Sequence, residues 1–110
     1  MKISELVSTL NLKVLSGHNG LNNEITGGYV SDLLSDVMGN ANEGMVWITV
    51  QTHPNIVAVA SLKDLAGIII VKDLIPENET INKSNIENIP ILSCDSDTFK
   101  ITGRIYDLIR

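Results

Sequence analysis

The chain has 110 residues, 44% of them hydrophobic and 4% aromatic, with a formal net charge of −5. That length suits one domain with an aliphatic core, and its 8 Lys and Arg, scattered along the chain, exclude the basic face that nucleic-acid binding needs. Its single cysteine, Cys94, excludes an intrachain disulfide and fits a reducing, cytoplasmic setting.

No secretion signal is expected, because residues 1–12 lack an apolar core behind a basic start. The longest apolar run, "LAGIIIV", is too short to span a bilayer, so no membrane partner is expected either.

"ISELVSTLNL" carries Leu6, Val7 and Leu10 on a short helical stripe, with Ser4 as the expected cap. "KVLS" reads as a strand ended by Gly17, and "GHNGLNN" is turn chemistry. "EITGGYVS" reads as a second, weaker strand. "SDLLSDVMGNA" has Leu33, Leu34, Val37, Met38 and Ala41 at helical spacing, with Ser31 or Asp32 to cap it. "MVWITV" is a β-branched apolar run, hence a buried strand.

"THPNIVAVASLKDLAG" is too long for one strand. Pro54 suits a first helical turn and Gly67 the position just past a helix. The resulting helix is apolar on nearly all sides and needs cover on more than one face. "GIIIV" is another buried strand. A loop and a polar helix follow in "KDLIPENETINKSNIEN", then the strand "IPILS". "DSDTFKITGRIYDLIR" closes as a helix with Ile101, Ile105 and Leu108 on one stripe.

Apolar strands alternating with helices predict βαβ units. The expected fold is α/β, a mostly parallel or mixed sheet of about five strands flanked by helices. The two weak early strands are expected together at or near one edge.

Ligands of such sheets bind beyond the carboxyl ends of the strands, where helix N-termini point. "TVQTHPN", "VKD" and "SCDSDT" should meet there. Candidate ligand residues are Thr49, Gln51, Thr52, His53, Asn55, Lys72, Asp73, Asp95 and Thr98. Capping accounts slightly better than a ligand for Thr52, His53 and Asn55, and much better than catalysis for Asp95 and Asp97 at the last helix start. His18 and His53 are the only histidines, and no zinc spacing is present, so neither metal nor cofactor is expected. Cys94 lacks a visible base and reads as an inert thiol. Thr26-Gly27-Gly28 matches neither glycine-rich phosphate motif and reads as a bulge or close approach in a strand.

The chain resembles the DRTGG domain family along nearly all of its length. "KVLSGHNGLNNEI", "MVWIT" before a helix, and "AGIIIVKDLIPENETINKSNIENIPIL" followed by "DTFKITGRIYDL" carry the likeness. Thr52-His53 stands where the family has Asp-Arg, and Val71-Lys72-Asp73 where it has Thr-Gly-Gly. The sequence departs from the family at all five positions. The resemblance implies a single domain over residues 1–110 with a fold similar to the N-terminal domain of HPr kinase.

DRTGG domains stand beside CBS modules in larger proteins, among them regulated pyrophosphatases. The resemblance therefore implies regulation and dimerisation rather than catalysis. The leading expectation is a non-enzymatic regulatory module that binds a nucleotide or other phosphorylated small molecule. Its homodimer is expected through the 55–62 helix region, whose all-apolar surface calls for a partner. Two alternatives stand beside it: a ligand-free structural subunit, and a small acid–base enzyme pairing His53 with Asp36 or Asp73.

Overall fold

The computed structural model describes residues 1–110. Its elements are α1 (Ile3–Leu10), β1 (Lys13–Ser16), β2 (Gly27–Val30), α2 (Leu34–Asn40), β3 (Met45–Thr49), α3 (Asn55–Leu62), β4 (Gly67–Ile70), α4 (Asn78–Glu87), β5 (Ile91–Ser93) and α5 (Thr98–Ile109). The 5 strands form one sheet in the order β1-β5-β4-β3-β2. β2 to β5 run parallel, and β1 runs antiparallel to β5. The sheet is therefore mixed and the fold is α/β.

The two weak strands are not neighbours. β1 closes one edge and β2 the other. Each lies outside a strong strand, and the edges are where a short, half-exposed strand costs least.

Alternation along the central strands divides the core in two. Val46, Ile48, Ile69 and Leu92 face Ile3 and Leu6 of α1 and Ile101 and Ile105 of α5. Trp47, Ile68, Ile70 and Ile91 face Val37 of α2 and Ile56 and Ala60 of α3. α4 packs beside α3 on that second face, where the Ser84 and Ser16 hydroxyls share a buried 2.6 Å hydrogen bond. β3 and β4 are covered on both sides, which is why they read as unbroken apolar runs.

Three local expectations change. Ser4 does not cap α1: its amide bonds the Leu21 carbonyl (2.9 Å), while the Lys2 amide donates to Glu5 Oε1 (3.1 Å). Gly67 does not end α3. Asp64, at φ +52°, makes that left-handed turn, and Gly67 opens β4. The all-apolar α3 finds its cover within the chain, with Ile56, Val57, Val59 and Ala60 buried between the sheet and its neighbouring helices. Leu62 is its one large hydrophobic side chain left exposed, beside the exposed Ile86 of α4, so a dimer contact along 55–62 would rest on that smaller patch rather than on an all-apolar helix surface.

Candidate functional site

The carboxyl ends of β2, β3, β4 and β5 lie on one edge of the sheet, because these strands are parallel. After β2, β3 and β4 the chain enters α2, α3 and α4 on the same face. After β5 it enters α5 on the opposite face. The loops after β4 and β5, which are neighbouring strands, therefore part from one another. A crevice opens where adjacent loops diverge.

A cavity of about 170 Å³ lies there. Asp73 lines it from the β4 loop, Cys94, Asp95 and Ser96 from the β5 loop, Lys13 from β1 and Arg104 from α5. Neither Lys13 nor Arg104 is held in an ion pair. Sequence reasoning missed both cations, since they come from the start of β1 and the middle of α5. Only the antiparallel placement of β1 beside β5 and the crossing of α5 bring them to this edge.

Two backbone bonds stitch the loops together. The Lys72 amide donates to the Ser96 carbonyl (3.0 Å) and the Asp73 amide to the Cys94 carbonyl (2.8 Å). To make them, Lys72 and Asp73 take consecutive left-handed conformations, φ +61° and +51°. In the sequence resemblance these positions stand where the family has two glycines, and glycine adopts such angles without a Cβ penalty.

The β3–α3 turn is a separate group and does not line this cavity. Thr49 is fully buried. Its hydroxyl donates to Asp32 Oδ1 (2.9 Å) and accepts from the Gln51 amide (3.1 Å). Asp32 Oδ1 also accepts from the Val50 amide (2.9 Å), and Gln51 Nε2 donates to the Asp32 carbonyl (2.9 Å). Asp32, expected as a cap for α2, instead ties β3 to the loop after β2. Its signal was position alone: a carboxylate just past a strand at the carboxyl edge.

The Thr52 carbonyl accepts from the Glu77 amide (3.2 Å) and the Thr80 hydroxyl (2.8 Å), fixing the start of α4. His53 Nδ1 accepts from the Asn55 amide (3.0 Å), a capping bond, and both side chains are exposed. At α5 the cap is Asp97, whose Oδ1 accepts from the Lys100 amide (2.9 Å). Asp95 stays in the crevice, and Thr98 begins the helix.

His53 forms no hydrogen bond or ion pair with a carboxylate. The carboxylate of Asp36 belongs to Tyr29, whose hydroxyl lies 3.0 Å from both oxygens, and to Asn40 Nδ2 at 3.0 Å. The Ser31 and Tyr29 hydroxyls hold Asp36 below the usual carboxylate range, while burial and the Asp36 charge push Tyr29 up. Burial also pushes the Cys94 thiol up, and its one contact is a weak 3.9 Å bond to the Ser96 carbonyl. This is the environment of an inert thiol.

A wider cavity of about 640 Å³ lies at the other edge of the sheet, where Glu24, Glu43, Asp64 and Glu87 make it unsuited to an anion. Thr26-Gly27-Gly28 belongs to that edge. Gly27 and Gly28 pair with Met45 and Val46 in regular register without a bulge, and an added Cβ would meet ordinary contacts. The expected close approach is instead at Gly44, φ +81°, where a Cβ would lie 2.7 Å from the Thr26 side chain.

Three layers with a crevice between β4 and β5 define a small α/β domain. The chain belongs to the DRTGG domain family, which matches residues 5–108. Eight chains of solved structures match it. One is the CBS and DRTGG domains of the regulatory region of a Clostridium perfringens pyrophosphatase, complexed with an activator, diadenosine tetraphosphate. It is 16% identical with a TM-score of 0.68, and the match covers 94% of this chain and 44% of that one. The present chain thus spans less than half of that regulatory region, and the likeness is one of fold. No curated protein matches.

Proposed function

We propose that this chain is a non-enzymatic regulatory module of the cytoplasm that binds a phosphorylated small molecule, a nucleotide foremost, and acts as a homodimer. The observation that carries the ligand is the crevice between the β4 and β5 loops, with Lys13 and Arg104 unpaired at its wall. Asp73 and Asp95 line it, the Lys72 amide ties the β4 loop to Ser96, and Thr98 stands at the start of α5. Gln51, Thr52, His53 and Asn55 lie in the separate β3–α3 turn, with Thr49 buried beneath it.

The regulatory role rests on family membership and on the regulatory region that shares the fold. Against the acid–base alternative, His53 bonds neither Asp36 nor Asp73: its Nδ1 accepts from a backbone amide, and Asp36 is held by Tyr29. No helix is long and apolar enough to cross a membrane.

A thermal-shift series with nucleotides and phosphorylated metabolites tests the proposal. A ligand at 100 times its Kd adds about 2.7 kcal/mol, about 10 °C or more for a chain of this size. Lys13→Ala and Arg104→Ala should each abolish the shift while leaving the ligand-free melting point nearly unchanged. A series with no shift, or a shift indifferent to both substitutions, would refute binding in this crevice.

A further inference from the structure

The outward face of α5 has no partner within the chain. Phe99 is 89% exposed and Tyr106 64% exposed. With Gly103 between them they occupy positions i, i+4 and i+7, one face of the helix. Val30, at the end of the free edge strand β2, borders the same hollow.

Gly103 sits inside the helix, where glycine is unfavourable relative to alanine. Nothing lies within 4 Å of where its Cβ would be, so no packing inside the chain requires the glycine. A second backbone approaching closely would require it.

The charges on this face identify that neighbour. Lys100 and Asp107 flank the Phe99–Gly103–Tyr106 line on the same side. When two α5 helices pack antiparallel about a two-fold axis near Gly103, Phe99 of each meets Tyr106 of the other. The flanks then bring Lys100 of each beside Asp107 of the other. A parallel pair would place these two residues of the two copies on opposite flanks and form neither ion pair. Within the chain Lys100 has no ion pair, and Asp107 has only an exposed 3.5 Å contact with Arg110.

We infer that the occupant of this face is a second copy of the chain, docked α5 to α5 in antiparallel orientation with Gly103 at the crossing. The inference rests on the homodimer of the proposed function and gives its contact a place. Two exposed aromatic rings, each able to bury about 150–250 Å², supply much of the roughly 800 Å² per partner that a stable interface needs. β2 and the remaining turns of α5 supply the rest. Such a contact is isologous and closes at two copies.

Sedimentation equilibrium of the full chain and its variants provides the test. The unsubstituted chain should be dimeric at tens of micromolar. Phe99→Glu should weaken the dimer at least about thirtyfold, the loss expected at an interface hot spot. Lys100→Glu and Asp107→Lys should each weaken it about tenfold. The double substitution should recover to within about threefold, because only the sign of each pair is exchanged. Gly103→Ala should raise the melting temperature yet weaken the dimer, a combination that misfolding cannot produce.

A dimer that survives Phe99→Glu but dissociates with Leu62→Glu would overturn the α5 face and leave the dimer standing. Charge variants that do not rescue one another would overturn the antiparallel pairing. A chain that stays monomeric at several hundred micromolar would overturn both the face and the dimer.

Discussion

Asp32→Ala removes the carboxylate that joins the loop after β2 to the end of β3. One oxygen, Oδ1, accepts from the Thr49 hydroxyl and the Val50 amide, each at 2.9 Å. Thr49 is fully buried, so its donor has no water to turn to. Hydrogen bonds to a charged acceptor contribute about 1.5–3 kcal/mol each, and an unmet buried donor costs about 1–3 kcal/mol. The two bonds share one oxygen and are not additive. The exposed Val50 amide can regain water. A net loss of about 2–4 kcal/mol follows for alanine.

Asp32→Asn keeps an acceptor oxygen and gives up only its charge, so about 1 kcal/mol is expected. Urea denaturation of both variants reads these losses as a fall in midpoint at unchanged slope. Thr49→Val in each background should then show a coupling of about 1 kcal/mol or more between the two positions. If Asp32→Ala cost less than about 0.5 kcal/mol, the size of an ordinary surface change, the bridging role assigned to Asp32 would be wrong.

Lys72→Gly should stabilise the fold by about 0.5–1 kcal/mol, because glycine relieves the left-handed conformation while the amide bond to Ser96 remains. A drop in the urea midpoint would count against that account. Gly17→Ala should cost more than about 3 kcal/mol or abolish folding, since a methyl there meets the Ile89 carbonyl at φ +72°. Circular dichroism of the variant would decide it. The depressed Asp36 carboxyl stabilises the fold above its unfolded pKa, and that contribution is lost as pH falls through the lower folded value. Asp36→Asn should therefore differ from the parent at neutral pH and begin to converge with it only as pH falls below about 4, followed by melting temperature. Cys94 should react with a disulfide reagent far more slowly than a free thiol at pH 7 and accelerate in denaturant; an unchanged rate would refute its burial.

Much of this molecule can be read from its sequence because its elements are decided locally. The runs at Met45–Thr49 and Gly67–Ile70 are β-branched and apolar because both faces of the sheet are covered. The stripe of Ile101, Ile105 and Leu108 has helical spacing, and Asp97 caps its start. Hydrogen bonding within a few residues and one periodicity suffice for such assignments. Membership of the DRTGG family was legible too, carried by loose motifs along nearly the whole chain.

Other decisions belonged to contacts between residues distant in sequence. Burial of Ile101 and Ile105 on the first face sends α5 away from α2, α3 and α4, and that choice opens the crevice between the β4 and β5 loops. The pairing of Lys13 with Ser93 carries a cation from the start of the chain to that crevice. Asp32 reads locally as a helix cap, but the strand pairing sets it beside Thr49 and Val50, and the buried Thr49 hydroxyl with the Val50 amide outcompetes a helix end that water can serve. Local pattern determined what each segment is. The layer in which each segment found its cover decided which side chains share a site.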